Sequence, residues 1–381
     1  MKKWRVVAAV MAIIIAAGYW FLTIPETAAP NGSESIALYR PGPYKVLSEG
    51  FTAVDKTRPT QAYDDYAGSA ERVLNGDIWR PEGLRQPGPL VIYSHGFLSF
   101  RQEGLYLAKF LASHGYSVVA VDYPLTGFHA PGKSLMRDVI KQPGDVSFLI
   151  DTMLERNADP ADALHDTLDP RKIAVAGVSL GGLTTTLVTF HRALRDPRIA
   201  AAISIAGPSV MFTPDFFRTS DVPYLLIYGS DDAIVSYDEN ATPLLAKRPG
   251  SILVTLKGAS HAGFAQPAST LMRFISNPDG IGCRTVRDEL GNDLAEQNRE
   301  FMAALGGPEV GVSLDKEIDF CTSPPIPLAM KASRQHMFAT LAAYSFLQSV
   351  FADSAEVRDS ARNYLLKTLP RENSGEVSVS L

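Results

Sequence analysis

The chain has 381 residues, 46% of them hydrophobic and 20% charged, with a formal net charge of −5 at pH 7. That length and apolar content suffice to bury a large core and exclude a disordered chain. The small acidic excess offers no basic field for nucleic acid, so no nucleic-acid partner is expected.

The N-terminus is the first informative stretch. Lys2, Lys3 and Arg5 are followed by a run from Val6 to Pro25 without one charged side chain. A helix of that length crosses a bilayer, and the basic flank favours an N-terminus kept in the cytoplasm. Tyr19, Trp20 and Phe21 suit an interfacial belt, so residues 1–25 read as a membrane anchor that stays on the chain. The alternative is a cleaved signal peptide with Thr27–Ala28–Ala29 as its site, leaving a secreted or periplasmic protein. Either way the body is extracytoplasmic.

Residues 26–50, rich in Pro, Gly and Ser, read as a linker, and residues 51–370 as one domain. Val73–Trp79 is the first clear strand, closed by a turn at Arg80–Gly83. Pro89–Ser94 is a largely apolar strand that runs into the loop His95–Ser99. A helix with Leu107, Phe110 and Leu111 on one face stops at Gly115, and Ser117–Asp122 is a second buried strand. A helix then begins near Pro143 with Val146, Leu149, Ile150, Met153 and Leu154 as its stripe.

Lys172–Val178 is the next strand, and a helix-capable segment from Leu183 to His191 follows it at once. Ile199–Ile205, Val222–Tyr228 and Ile252–Leu256 are further strands. Residues from about 277 to 327 break the rhythm and read as an insertion. Ala329–Phe351 and Ser354–Leu369 read as closing helices, and 371–381 as a mobile polar tail. Strands alternating with helices predict an α/β fold, a doubly wound, mostly parallel sheet with helices on both faces.

The chemistry centres on Gly177–Val178–Ser179–Leu180–Gly181, a strand that turns sharply into a helix. Small residues on either side of Ser179 let strand and helix approach, and the helix N-terminus faces the hydroxyl. A serine hydroxyl needs a base to take its proton and a third group to hold that base. Both are expected on loops at the carboxyl ends of later strands. Gly229–Ser230–Asp231–Asp232 follows one such strand and Ser260–His261–Ala262 the next. Asp232 is preferred to Asp231 as the acid, and His261 to the helical His336 as the base. The Leu180 and Phe97 amides are the expected oxyanion donors, with His95 packing beneath their loop.

No His-Glu-x-x-His or Gly-x-Gly-x-x-Gly pattern occurs, so neither metal nor cofactor is expected. Cys283 and Cys321 stand too far apart for a local metal motif. In an oxidising compartment they pair as one disulfide; the alternative is two buried thiols. The aromatic stretch Pro208–Phe217, with Phe97, Phe128 and Phe264, lines an apolar pocket or packs in the core.

Ser94–His95–Gly96–Phe97, Gly177–Val178–Ser179–Leu180–Gly181–Gly182, Gly229–Ser230–Asp231–Asp232 and Ser260–His261–Ala262–Gly263–Phe264 resemble the signatures of α/β-hydrolases. Gln142–Pro143–Gly144–Asp145–Val146–Ser147–Phe148–Leu149–Ile150–Asp151 resembles a segment of the dienelactone-hydrolase-like and platelet-activating-factor-acetylhydrolase-like branch. Polyester hydrolases and cutinase-like bacterial lipases are similar in outline. The resemblance spans about Asp77 to Ile275 and implies hydrolysis of a small-molecule or lipid-like carboxylic ester through an acyl-enzyme. Dienelactone hydrolases carry cysteine where Ser179 stands, which argues against their substrate. An amidase, peptidase or thioesterase would use the same triad. A membrane-tethered binding module is the non-catalytic alternative.

Overall fold

Six strands with apolar runs and little alternation lie side by side at the centre of one sheet. They are β3 (Gly88–Ser94), β4 (Ser117–Asp122), β5 (Leu168–Val178), β6 (Ile199–Ile205), β7 (Tyr224–Gly229) and β8 (Ile252–Leu256). They pair in parallel, which requires cover on both faces, and their near-continuous burial reflects it. β1 (Val46–Asp55) and β2 (Arg72–Pro81) are antiparallel at one edge, where β1 keeps a half-exposed alternation. With β9 (Val377–Ser380) the sheet has nine strands in the order β1-β2-β4-β3-β5-β6-β7-β8-β9.

The computed structural model describes residues 11, 18, 24–291, 294–316, 318, 320, 321 and 327–381. The anchor expected over 1–25 lies almost wholly outside the described residues. Among the described residues, no helix is long and apolar enough to cross a membrane.

Helices α1 (Leu105–Ser113), α2 (Gln142–Ala158) and α3 (Leu180–Phe190) form the crossovers of the first half. Pro143 sits in the first turn of α2, where a missing N–H costs nothing. The stretch expected as an insertion holds α4 (Asp279–Leu290) and α5 (Leu294–Ala304), and α6 (Ala332–Phe351) packs back on the core.

Two stretches read as polar connectors are built into the fold instead. Residues 33–38 form a short helix whose Ser35 is buried; its amide donates to Glu372 at 2.8 Å and its hydroxyl accepts from Tyr364 at 2.8 Å. The C-terminal tail joins the sheet. It supplies β9, which pairs antiparallel with β8 from Leu253↔Ser380 to Leu256↔Val377. The reason is the alternation Val377-Ser-Val379-Ser beside an otherwise unpaired edge of β8.

Candidate active site

At the end of β5 the backbone of Ser179 takes φ 55° and ψ −119°, a left-sided conformation that a non-glycine residue holds only under strain. The neighbouring glycines make that turn sterically feasible. A Cβ on Gly177 would run into the Gly181 carbonyl, and one on Gly181 into the Ser94 carbonyl. The Ser179 amide is held by Ile205 O at 2.8 Å, so β6 fixes the turn from the other side.

β7 and β8 deliver the next two groups. Asp232 Oδ1 accepts the amides of Ile234 (2.9 Å) and Val235 (2.7 Å), which locks its carboxylate. Its Oδ2 lies 2.7 Å from His261 Nδ1. Asp231 instead accepts the Ser230 hydroxyl at 3.0 Å. Burial of the His261 ring works to depress its pKa, but the Asp232 carboxylate outweighs this, aided by Asp279 and Glu103, and holds it above the ordinary value.

Ser179 and His261 line one cleft together with Phe97 and Leu180. It offers about 920 Å³ of space, part of it open to solvent. No described residue accepts a hydrogen bond from the Phe97 or Leu180 amide. His95 is structural: its Nδ1 donates to Gly96 O at 2.7 Å and its Nε2 accepts the Tyr123 amide at 3.0 Å. His336 lies buried in α6, stacked on Tyr106 at 3.9 Å between ring centroids, and burial drives its pKa down to about 3.

Of the positions expected to line a pocket or pack in the core, Phe97 and Pro208 line the cleft, whereas Phe128 is 70% exposed and Phe264 is fully buried. Phe212 and Phe216 stack on each other in the core because the insertion covers them. Thr213 and Ser313 sew the two segments together through Gly311 O and Met211 O. The cleft wall comes instead from Leu98, Met136, Ile234, Val286 and Phe320. Cys283 and Cys321 are joined as a disulfide and pack with Ile234 and Val235 beside the Asp232 loop.

Two carboxylates escaped the sequence reading. Asp279, the first residue of α4, accepts the amides of Ala233, His261 and Ala262. Glu103 accepts the Gly96 amide at 2.9 Å and the Tyr93 hydroxyl at 3.3 Å beneath the Phe97 loop. Burial pushes the Glu103 carboxyl up to about 7, against the Ser99, Gly96 and Tyr93 hydrogen bonds. An acidic residue seven positions after Gly96 was the one available signal. Asp279 left none, since its partners are distant backbone amides. Among the described residues, no group of three or more His, Cys, Asp or Glu could hold a metal ion.

A family model described as PET hydrolase-like matches residues 62–277, more than half of the chain. The chain belongs to the PET hydrolase-like family. As a member it is a carboxylic ester hydrolase of α/β-hydrolase fold. Cutinase est2 of Thermobifida alba is 26% identical over 244 residues, covering 62% of this chain and 69% of its own. Cutinase cut1 of Thermobifida fusca is 25% identical over 287 residues, covering 71% and 79%. A ferulic acid esterase from Streptomyces cinnamoneus superposes with a TM-score of 0.51 at 16% identity, over 89% of this chain and 97% of its own, a likeness of fold. The PET hydrolase-like match ends at residue 277, so α4, α5 and the disulfide lie beyond it.

Proposed function

We propose that the chain is an exported serine esterase in which Ser179 is the nucleophile, His261 the base and Asp232 the group that orients it. One observation carries the reading: a buried Asp232–His261 pair, 2.7 Å apart, in a cleft that Ser179 also lines. With Nδ1 committed to Asp232, the other ring nitrogen takes the Ser179 proton as the hydroxyl attacks the ester carbonyl. The Phe97 and Leu180 amides then receive the tetrahedral oxyanion, a contribution of about 3–4 kcal/mol for one such donor in comparable sites. His261 returns the proton to the leaving alcohol, and the acyl group stays on Ser179. Water activated by the same ring then releases the acid.

Among the described residues the cleft wall is mostly apolar and includes no Lys or Arg, which favours an uncharged acyl or aryl group. The cutinase relatives favour the same class. Export is supported by the basic-then-apolar N-terminus and by the disulfide, which persists in oxidising compartments. The test is turnover of p-nitrophenyl butyrate by Ser179→Ala beside the parent, with stoichiometric labelling of the parent by a fluorophosphonate. Loss of turnover with a native circular-dichroism spectrum is expected; full residual activity overturns the assignment.

A further inference from the structure

α4 is tied to both sides of the cleft. Its first residue, Asp279, accepts the amides of Ala233, His261 and Ala262, in the loops that follow β7 and β8. Near its other end, Glu289 Oε1 accepts the Ser134 amide at 2.6 Å, in the loop that follows β4. The sheet order puts β5, which carries Ser179, between those strands. The helix therefore crosses the catalytic end of the sheet from one wall of the cleft to the other.

The residues between the two ties follow the helical repeat. Gly282, Thr285 and Val286 line the cleft, and Glu289 falls on the same face, at the i, i+3, i+4, i+7 spacing of one stripe. A Cβ on Gly282 would stand 2.7 Å from Ile234 Cδ1, so the helix lies close against the Asp232 loop. Cys283, next along, is bonded to Cys321, and Arg287 donates to Cys321 O at 2.9 Å. Phe320, beside that cysteine, bridges Val235 and lines the same cleft. On the far wall Glu300 of α5 pairs with Arg137, the neighbour of the cleft residue Met136.

We propose that α4 is a roof that selects the substrate by size: the site takes a small monomeric ester with compact apolar substituents, and Thr285, Val286 and Phe320 set the limit. A polyester chain continues on both sides of every ester bond, so it would have to displace a helix pinned at Asp279, Cys283 and Glu289. A long-chain ester meets the same obstacle on one side, whereas a compact one fits beneath the helix. The roof lies beyond residue 277, where the PET hydrolase-like match ends, so it is an addition to what the family shares. This inference rests on the serine esterase reading and adds to it the class of ester.

The test compares kcat/KM of the full chain for p-nitrophenyl butyrate, p-nitrophenyl dodecanoate and dodecyl butyrate, with an amorphous polyester film as the polymer. The parent is expected to favour the short ester over both long ones by at least about tenfold. Val286→Ala widens the cleft and Glu289→Ala frees the far end of the helix, so each should raise a long-to-short ratio by about threefold or more. Thr285→Trp should lower it. Each ratio is taken within one variant, so a partly unfolded preparation does not alter it. Equal ratios in the parent and all three variants overturn the proposal, as does a parent that releases product from the film as fast as from the short ester. A parent that neither turns over p-nitrophenyl butyrate nor takes a fluorophosphonate on Ser179 overturns the esterase reading and this inference with it. Labelled, active variants with unchanged ratios overturn this inference alone.

Discussion

Asp279 Oδ2 accepts the backbone N–H of His261 at 3.0 Å, so a side chain of α4 fixes the loop that carries the imidazole. The same carboxylate takes the amides of Ala233 at 3.0 Å and Ala262 at 2.7 Å. One buried group thus ties the Asp232 loop to the His261 loop, from outside the stretch matched by the family.

Asp279→Ala leaves three amides without an acceptor, the two buried ones at about 1–3 kcal/mol each. The urea midpoint is expected to fall, and kcat/KM for p-nitrophenyl butyrate to drop at least about tenfold as the two loops part. Asp279→Asn keeps one acceptor oxygen and should recover part of both. Unchanged kinetics in the Asn and Ala variants would show that the tie is dispensable.

Opening the Cys283–Cys321 bridge by a double substitution to serine frees a loop of 38 residues. The chain-entropy account, itself disputed, gives about 4 kcal/mol for a loop of that length. Because the bridge packs on Ile234 and Val235, the loss should also loosen the Asp232 loop and lower kcat. Thermal unfolding with and without the bridge, followed by kinetics at 25 °C, measures both.

The imidazole must be neutral to act as base, so kcat/KM should rise with pH through an apparent value above 6.5. Asp232→Asn removes the main force holding that value up. The limb should then move to lower pH while kcat falls by about 10⁴, the scale seen for loss of a triad carboxylate. The stability linkage has the matching sign. A histidine raised in the fold stabilises below its unfolded pKa and loses that contribution as pH climbs through the folded one.

Glu103 contributes with the same pH sign, although it is the neutral form of a carboxyl, not the charged form of a ring, that the fold favours. Its carboxyl, moved from 4.5 to about 7 by burial, binds a proton more tightly in the fold than in the unfolded chain. Its contribution to stability is therefore present below pH 4.5 and is lost as pH climbs to about 7. Glu103→Gln retains an acceptor for the Gly96 amide but cannot ionise. The difference in Tm between pH 5 and pH 8 is expected to shrink in that variant; an unaltered difference would place the linkage elsewhere.

Much of the sheet was legible in the sequence because its central strands are buried on both faces, which produces the unbroken apolar runs at Ile173–Val178 and Leu225–Tyr228. Ser179, Asp232 and His261 stand directly at strand ends, so chain order and small-residue spacing pointed to them. What stayed hidden depends on contacts between distant segments. Asp279 and Glu103 act on amides far along the chain, and no local pattern encodes such a partner. Phe212 and Phe216 were ambiguous for the same reason, since only the covering insertion decides whether they face substrate or core. The tail misled through its polarity, as half of a two-sided edge strand is polar in any case.

The position of β9 bears on when the molecule matures. β8, which leads to His261, acquires its second neighbour from residues 377–380, and Gln335 holds Ser260 through both its amide groups. Both supports lie C-terminal to Ser179 and Asp232, so synthesis supplies those two residues before the partners that hold β8 and the His261 loop.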